Sequence, residues 1–249
     1  MINYLKSENY RLLHKKSIYM TSGICLFLIT SAALVLYFFQ QSDSNFPYGT
    51  SIFLYSNVIS SGIIIMIVGF LFNTALTGKD ASVMKQAVSF GISRNTIFWS
   101  KLIVTLSYFL LLCLIGLILV IGLGESLFVS EEASIRNFVA ASFNMLPIAL
   151  GGFVMIHALK MLKVSDIYII IFLFFLLIFS GDLLRWLLGS FSQLNEFYQY
   201  APSTLLNDNL MSFMDQSAQF DFRFWVTGIV ISLVFLAIGM MRFTNKNID

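Results

Sequence analysis

Long apolar runs alternate with short polar segments along the whole chain of 249 residues. The apolar runs lie at about residues 18–39, 51–72, 102–122, 138–157, 167–188 and 224–241. A helix needs about 20 apolar residues to cross the roughly 30 Å hydrocarbon core of a bilayer. The pattern therefore predicts a single all-α, polytopic membrane domain over residues 1–249, with six transmembrane helices. The first run is too long for the apolar core of a signal peptide, so we expect it to remain as a span.

The fifth run is the least regular of the six, because its uninterrupted part covers only residues 167–179. Either the helix continues through Gly181, Asp182 and Arg185 to Leu188, or it breaks there into a re-entrant helix. Asp182 and Arg185 are three residues apart and would pair on one face of a continuous helix. The following segment, 181–222, is rich in apolar side chains, which predicts helices lying on or dipping into the membrane surface. Pro202 is placed where such a helix begins.

The first 17 residues mix basic side chains with leucines and tyrosines. This composition predicts an amphipathic helix lying in the membrane interface. The alternative is a positively charged flank whose role is to orient the first span.

Some spans carry polar side chains. Ser56, Asn57 and Ser60 lie in the first half of the second run and either support close helix packing or line a polar pathway. His157 ends the fourth run, where we expect an interfacial side chain, with a proton-relay role as the alternative.

A polar island at residues 77–101 separates the second and third runs. Within it, Val83, Met84, Ala87, Val88 and Gly91 fall at i, i+1, i+4, i+5 and i+8, which makes one apolar face on a short helix. The island has room for about six turns of helix outside the bilayer. A plain turn would suffice to join two spans, so the island predicts a docking element.

The charges predict the orientation of the chain. With six spans both termini share a side, and that side carries 12 of the 15 Lys and Arg residues. The opposite side carries Arg136, Arg185 and Arg223 together with nine acidic residues, a net charge of −6. By the positive-inside rule both termini and the island are expected in the cytoplasm.

Composition excludes several classes of function. Only 11% of the residues are charged, against roughly 25% in a soluble domain. Two histidines and two cysteines are too scattered for a metal site, and Cys25 and Cys113 lie inside apolar runs. There is no phosphate-binding loop, no nucleophile–base pair at suggestive spacing and no basic aromatic patch for nucleic acid. We therefore expect no catalytic residue, no metal and no cofactor bound by this chain.

At the island the sequence resembles the coupling region of ABC-2-type transporter permeases. In that family an acidic residue precedes a short helix, and a Pro-x-Ser-Arg turn and a lysine lead into the third span. Here Asp80 stands for the usual glutamate, Gly91-Ile92-Ser93-Arg94 forms the turn with glycine in place of proline, and Lys101 opens the span. The glycine predicts a more flexible turn, which Gly91→Pro would stiffen. In outline the resemblance extends over the whole chain, from the N-terminal helix to the long outer segment.

The resemblance implies roles for individual residues. Residues 80–91 would form the coupling helix, with Val83, Met84, Ala87 and Val88 giving contact area and Lys85 and Arg94 giving polar anchors. The outer segment 181–222 would gate the exit, with Asp182, Arg185 and Pro202 as its candidate residues.

The resemblance also implies partners and a location. The chain would form a permease dimer, homomeric or with a sister permease, in a bacterial plasma membrane. Two cytoplasmic ATPase subunits would bind ATP and Mg²⁺. Short phenylalanine-rich permeases resemble exporters of lantibiotics and phenol-soluble modulins, which implies amphipathic or antimicrobial peptides as cargo, and 26 Phe and 11 Met residues suit such cargo. The alternatives are an ion-coupled carrier acting alone, or the membrane component of a peptide-sensing or immunity complex.

Overall fold

Helices make up nearly all of the structure. The computed structural model describes residues 1–43, 45–78, 81–129, 132–189 and 195–245. The helices of the N-terminal half are α1 (Ile2–Leu13), α2 (Lys16–Ser42), α3 (Ser51–Ser60), α4 (Gly62–Thr77), α5 (Ala81–Ser89) and α6 (Arg94–Leu127). Those of the C-terminal half are α7 (Glu132–Met161), α8 (Asp166–Phe174), α9 (Ser180–Leu188), α10 (Pro202–Met214) and α11 (Phe222–Asn245). A π-helical turn, Phe175–Phe179, joins α8 to α9, and a 3₁₀ helix, Asn195–Tyr200, precedes α10.

The long helices are apolar enough to cross a membrane. In the described part of the chain five qualify alone: Lys16–Ser42, Arg94–Leu127, Ala133–Met161, Asp166–Leu188 and Phe222–Thr244. The pair α3 and α4 qualifies only when counted together. The prediction of an all-α, multi-pass membrane protein is confirmed at this level.

The second apolar run, expected as one span over residues 51–72, is two helices. They meet at Ser61 with a bend of 55°, and the second of them continues to Thr77. Ser61 donates its hydroxyl to the carbonyl of Val58, three residues back, which satisfies the turn at the break.

The third span was expected to begin at residue 102, but α6 begins at Arg94 and runs for 34 residues. At 1.5 Å per residue it is about 51 Å long, so it extends well beyond a hydrocarbon core of about 30 Å. The last eight residues of the predicted island, 94–101, therefore belong to this helix.

The fifth run stays helical through Gly181, Asp182 and Arg185 and ends at Leu188. This excludes a break at Gly181; the irregularity is the π-helical turn Phe175–Phe179 before it. No ion pair joins Asp182 to Arg185. The guanidinium of Arg185 lies instead 4.2 Å from the ring centroid of Tyr198.

Contacts between helix termini define two ends of the bundle. At one end the start of α6 meets the end of α11 and the end of α4, and Lys160 of α7 pairs with Asp166 of α8 at 2.6 Å. At the other end Tyr55 of α3 donates to Glu125 near the end of α6 at 2.8 Å. We call these the basic end and the acidic end, because α1, α5 and most Lys and Arg residues lie at the first. Their orientation relative to the cytoplasm stays a prediction.

The closest packing in the bundle is between α7 and α11. A methyl group added at Gly228 would collide with the backbone carbonyl of Pro147, and one added at Gly239 would lie 2.8 Å from the Cβ of Ala158. Small residues let two membrane helices approach until backbone touches backbone. Pro147 lies inside α7 at this contact.

Candidate functional site

The predicted docking element is the short helix α5 at the basic end. Its C-terminus is closed by two backbone hydrogen bonds, from Gly91 to Val88 at 2.9 Å and from Ile92 to Ala87 at 3.1 Å. Gly91 has φ +82°, the left-handed conformation that this kind of helix ending requires. A proline, whose φ is fixed near −65°, does not fit there. The suggestion that Gly91→Pro would merely stiffen the turn is therefore wrong, since glycine here specifies the turn.

The next two residues start α6. The hydroxyl of Ser93 accepts a hydrogen bond from the backbone N–H of Thr96 at 3.2 Å and so caps the helix. Arg94 donates to the carbonyl of Thr244 at 2.7 Å, at the end of α11. A cation at a helix C-terminus is favourable because it faces the negative end of the helix dipole. Both predicted coupling residues thus have roles inside the chain.

The apolar face of α5 is turned largely inward. Met84 is 4% exposed and Ala87 is 7% exposed, and both pack in the main core, with Val88 and Ile92 half-buried beside it. These side chains therefore offer little of the contact area expected of them. The surface that α5 presents to a partner consists of Lys85, Gln86, Ser89 and, just after the helix, Phe90, which is 76% exposed.

The N-terminal segment forms a helix, α1, which packs against α6 and is held by a buried ion pair. Lys101 is 0% exposed, and its ammonium donates to Glu8 of α1 at 3.2 Å and to the backbone carbonyl of Leu76 in α4 at 2.7 Å. Glu8 is 1% exposed and accepts a second hydrogen bond from Arg11 at 2.9 Å. The contact therefore joins α1, α4 and α6 at one point.

A second buried polar contact involves α6 at Phe98, three residues before Lys101. His157 of α7 is fully buried, with Nδ1 3.0 Å from the amide nitrogen of Asn73 and Nε2 3.1 Å from the carbonyl of Phe98. Because a carbonyl can only accept, Nε2 carries the proton and Nδ1 accepts from Asn73. The histidine expected at the membrane interface is enclosed by protein on all sides, and its depth in the membrane stays a prediction. Both ring nitrogens are engaged in holding α4, α6 and α7 together. The proton-relay alternative stays a prediction.

Between α1 and α5 the surface opens into a groove of about 650 Å³. Its walls come from the first two turns of α1 and from the stretch that ends α5 and begins α6, including Asn3, Ser7, Val83, Gln86, Phe90 and Thr96. The exposed ring of Phe90 stands at its rim. We call this the α1–α5 groove.

At the acidic end the three predicted gate residues lie close to one junction. Ser203, next to Pro202 at the start of α10, accepts a hydrogen bond from the backbone N–H of Gly181 at 2.8 Å. Asp182 is exposed, Arg185 covers the ring of Tyr198 and Pro202 is buried. Pro202 is the first residue of α10, as predicted.

The same end contains a polar cluster that sequence reasoning missed. Asn144 of α7 donates to the carbonyl of Gln219 at 2.8 Å and to Asn209 of α10 at 3.3 Å, and accepts from the N–H of Asp221 at 3.2 Å. Both asparagines are buried. They fasten α10 and the start of α11 to the centre of the bundle. The feature of the sequence that could have revealed this cluster is the presence of asparagines within apolar stretches.

The pathway candidates use their side chains locally. Ser56 and Asn57 donate to the carbonyl of Phe53, and Ser60 donates to that of Asn57. Each satisfies its own turn of α3, so none hydrogen-bonds across a helix contact. A role in a pathway stays a prediction.

Asp80 lies outside the described residues. Among the residues that the structure describes, no group of three or more His, Cys, Asp and Glu side chains is placed to hold a metal ion. Comparison with known proteins gives no further guide, since no protein-family model matches the chain and no curated protein matches it either.

Proposed function

We propose that this chain is the membrane subunit of an ATP-driven exporter of the ABC-2 type. One observation carries the proposal: the short helix α5 ends in a turn closed by two backbone hydrogen bonds and leads into α6, which a buried ionic contact joins to α1 and α4. Such an arrangement suits the receipt of force from a protein that binds at the basic end.

The proposed docking surface is the exposed side of α5 together with the α1–α5 groove. Phe90 is a large apolar side chain exposed in a region that also carries Lys85, and exposed aromatic residues beside a groove are typical anchors of protein interfaces. Met84, Ala87 and Val88 support this surface from beneath, since they pack into the core.

The partners would be two ATPase subunits, which bind ATP and Mg²⁺, and a second permease subunit, identical or related. Force on α5 would reach α6 directly, because the turn between them is closed by the Gly91 hydrogen bonds and the Ser93 cap. The ion pair of Lys101 with Glu8 would carry α1 along, and the bond to Leu76 would carry the end of α4.

Cargo would leave past the junction of α9 and α10, where Asp182, Arg185 and Pro202 lie. Amphipathic or antimicrobial peptides are the proposed cargo, with the basic end in the cytoplasm of a bacterial cell. The hydrogen bonds of His157 link three helices, a structural role that the proposed exporter accommodates without ion coupling.

Co-purification tests the proposal. The tagged chain is extracted in mild detergent from membranes of its native host, and Mg²⁺-dependent ATP hydrolysis of the eluate is measured. We expect hydrolysis with the wild type and at least a tenfold loss with Phe90→Asp. Phe197→Asp is the matched control, because Phe197 is 55% exposed in the 3₁₀ helix at the acidic end and should leave hydrolysis unchanged.

Two results would overturn the proposal. One is transport of peptide by the purified chain in liposomes without ATP, which would favour a secondary carrier. The other is equal ATP hydrolysis by the wild type and Phe90→Asp, with both proteins monodisperse. Binding of peptide by a complex that shows no transport would instead favour an immunity or sensing role.

A further inference from the structure

A second groove, separate from the α1–α5 groove, lies where the chain turns from α1 into α2. It has a volume of about 230 Å³ and is walled by α1, α2, α4 and α6. Its lining is almost wholly apolar and includes Leu13, Ile18, Tyr19, Phe72, Leu111 and Leu112. At about 30 Å³ for a water-sized group, it holds about eight such groups. This matches a stretch of hydrocarbon chain better than a folded protein element.

Two lysines lie in the chain next to the residues that line this groove. Leu12, Leu13, Ile18 and Tyr19 line the groove on either side of His14, Lys15 and Lys16, so the two lysines lie at the turn between its walls. The α2 helix begins at Lys16, has no acidic residue in its first turn and receives no side-chain cap. The positive end of the helix dipole at such a helix start favours an anion.

We propose that this groove binds one anionic phospholipid of the leaflet on the side of α1. The acyl chain lies in the groove between α2 and α6, and the phosphate lies at the start of α2 beside Lys15 and Lys16. Three properties combine here: an apolar slot, two lysines in the adjoining turn of the chain, and the position at which α1 continues into α2. The site is separate from the proposed ATPase docking surface, since none of the residues that line it belongs to α5.

Phosphatidylglycerol and phosphatidylcholine with the same acyl chains test the proposal, since they differ in headgroup charge. Each is titrated into detergent-purified protein, and retained lipid is counted by native mass spectrometry. A basic residue near a lipid surface is worth about fivefold in binding, so the wild type should prefer phosphatidylglycerol by about 30-fold if both lysines contribute. Lys15→Gln with Lys16→Gln should remove most of this preference.

The matched control is Lys6→Gln with Arg242→Gln, which changes the net charge equally at the same end of the bundle and should keep the preference. Ser22→Phe tests the slot, because Ser22 lines the groove and is uncharged; it should weaken both lipids at least fivefold. Ser22→Leu, a smaller change, covers the case in which the phenylalanine variant does not fold.

The proposal is overturned if the Lys15/Lys16 double variant and the Lys6/Arg242 double variant lose the preference for phosphatidylglycerol equally, or if neither variant loses it. It is also overturned if folded Ser22 variants bind both lipids as the wild type does. A third contrary result is a Ser22 variant that changes only the oligomeric mass, because the groove would then be a contact between two copies of the chain.

Discussion

The buried contact between Glu8 and Lys101 gives the sharpest test of how the basic end is held together. We consider Glu8→Met, Lys101→Met and the double variant. Glu8→Met leaves the ammonium of Lys101 buried without its carboxylate, and breaking a buried ion pair in this way costs about 3–5 kcal/mol of unfolding free energy. Lys101→Met should cost less, about 1–3 kcal/mol, because Glu8 keeps its hydrogen bond to Arg11.

The double variant separates an ion pair from two independent side chains. With both charges gone, two methionines fill the space, and replacement of a buried pair by apolar residues is often neutral. The carbonyl of Leu76 still loses its donor, which we expect to cost about 1–3 kcal/mol. The single changes together should cost about 4–8 kcal/mol, so the double variant should be at least about 1 kcal/mol more stable than their sum predicts.

Unfolding by sodium dodecyl sulfate in mixed micelles, followed by circular dichroism, measures these free energies. Trypsin cleavage after Lys6 and Arg11 provides a local readout, since it should accelerate when α1 leaves α6. The control pair is Asp221 and Arg223 at the acidic end, 2.7 Å apart and about a third exposed, whose coupling should be under about 1 kcal/mol. Single costs for Glu8 and Lys101 that add to within about 0.5 kcal/mol would refute the reasoning.

Three further predictions concern single positions and use the same unfolding assay. Gly91→Ala should cost about 1 kcal/mol because its φ is +82°, and Gly91→Pro about 3 kcal/mol or more; equal costs would contradict the turn described. Gly228→Ala should destabilise by about 1–3 kcal/mol because its methyl group meets the carbonyl of Pro147, whereas Gly23→Ala, which meets no atom within 4 Å, should be neutral or stabilising. Asn144→Leu should cost about 3 kcal/mol and speed proteolysis between α10 and α11, and unchanged cleavage would show that α10 does not depend on this cluster.

The sequence predicted an all-α, multi-pass membrane protein because an apolar run of about 20 residues has few other uses. It did not predict the lengths of the helices, because an apolar run marks only the part of a helix that is suited to lipid. The helix α6 continues beyond its predicted apolar run, 102–122, at both ends. Nor did it predict the bend at Ser61, because Ser56, Ser60 and Ser61 lie close together in the sequence and their pattern singles out no position.

In the candidate site, spacing located α5 correctly but did not indicate what covers its apolar face. An amphipathic pattern identifies a face that will be buried, and Met84 and Ala87 are buried by the chain's own core. Similarly, Glu8 and Lys101 lie 93 positions apart in segments that look solvated, so their burial becomes visible only when α1 packs on α6. Glu8 is the one acidic residue among the first 17, and this isolated acid among basic residues was the only hint in the sequence of an ion pair.

The length of α6 and the place where it is held have a mechanical consequence. Lys101 lies seven residues after the start of α6 and 26 residues before its end at Leu127, about 10 Å and 39 Å along the axis. A straight rod that tilts about this point has arms in a ratio of about 1:4, so 1 Å of sideways movement beside α5 becomes about 4 Å at the acidic end. That long arm ends beside Tyr55, whose hydroxyl holds Glu125. If α5 receives a push as proposed, a tilt of α6 about Lys101 would enlarge that movement about fourfold at the acidic end.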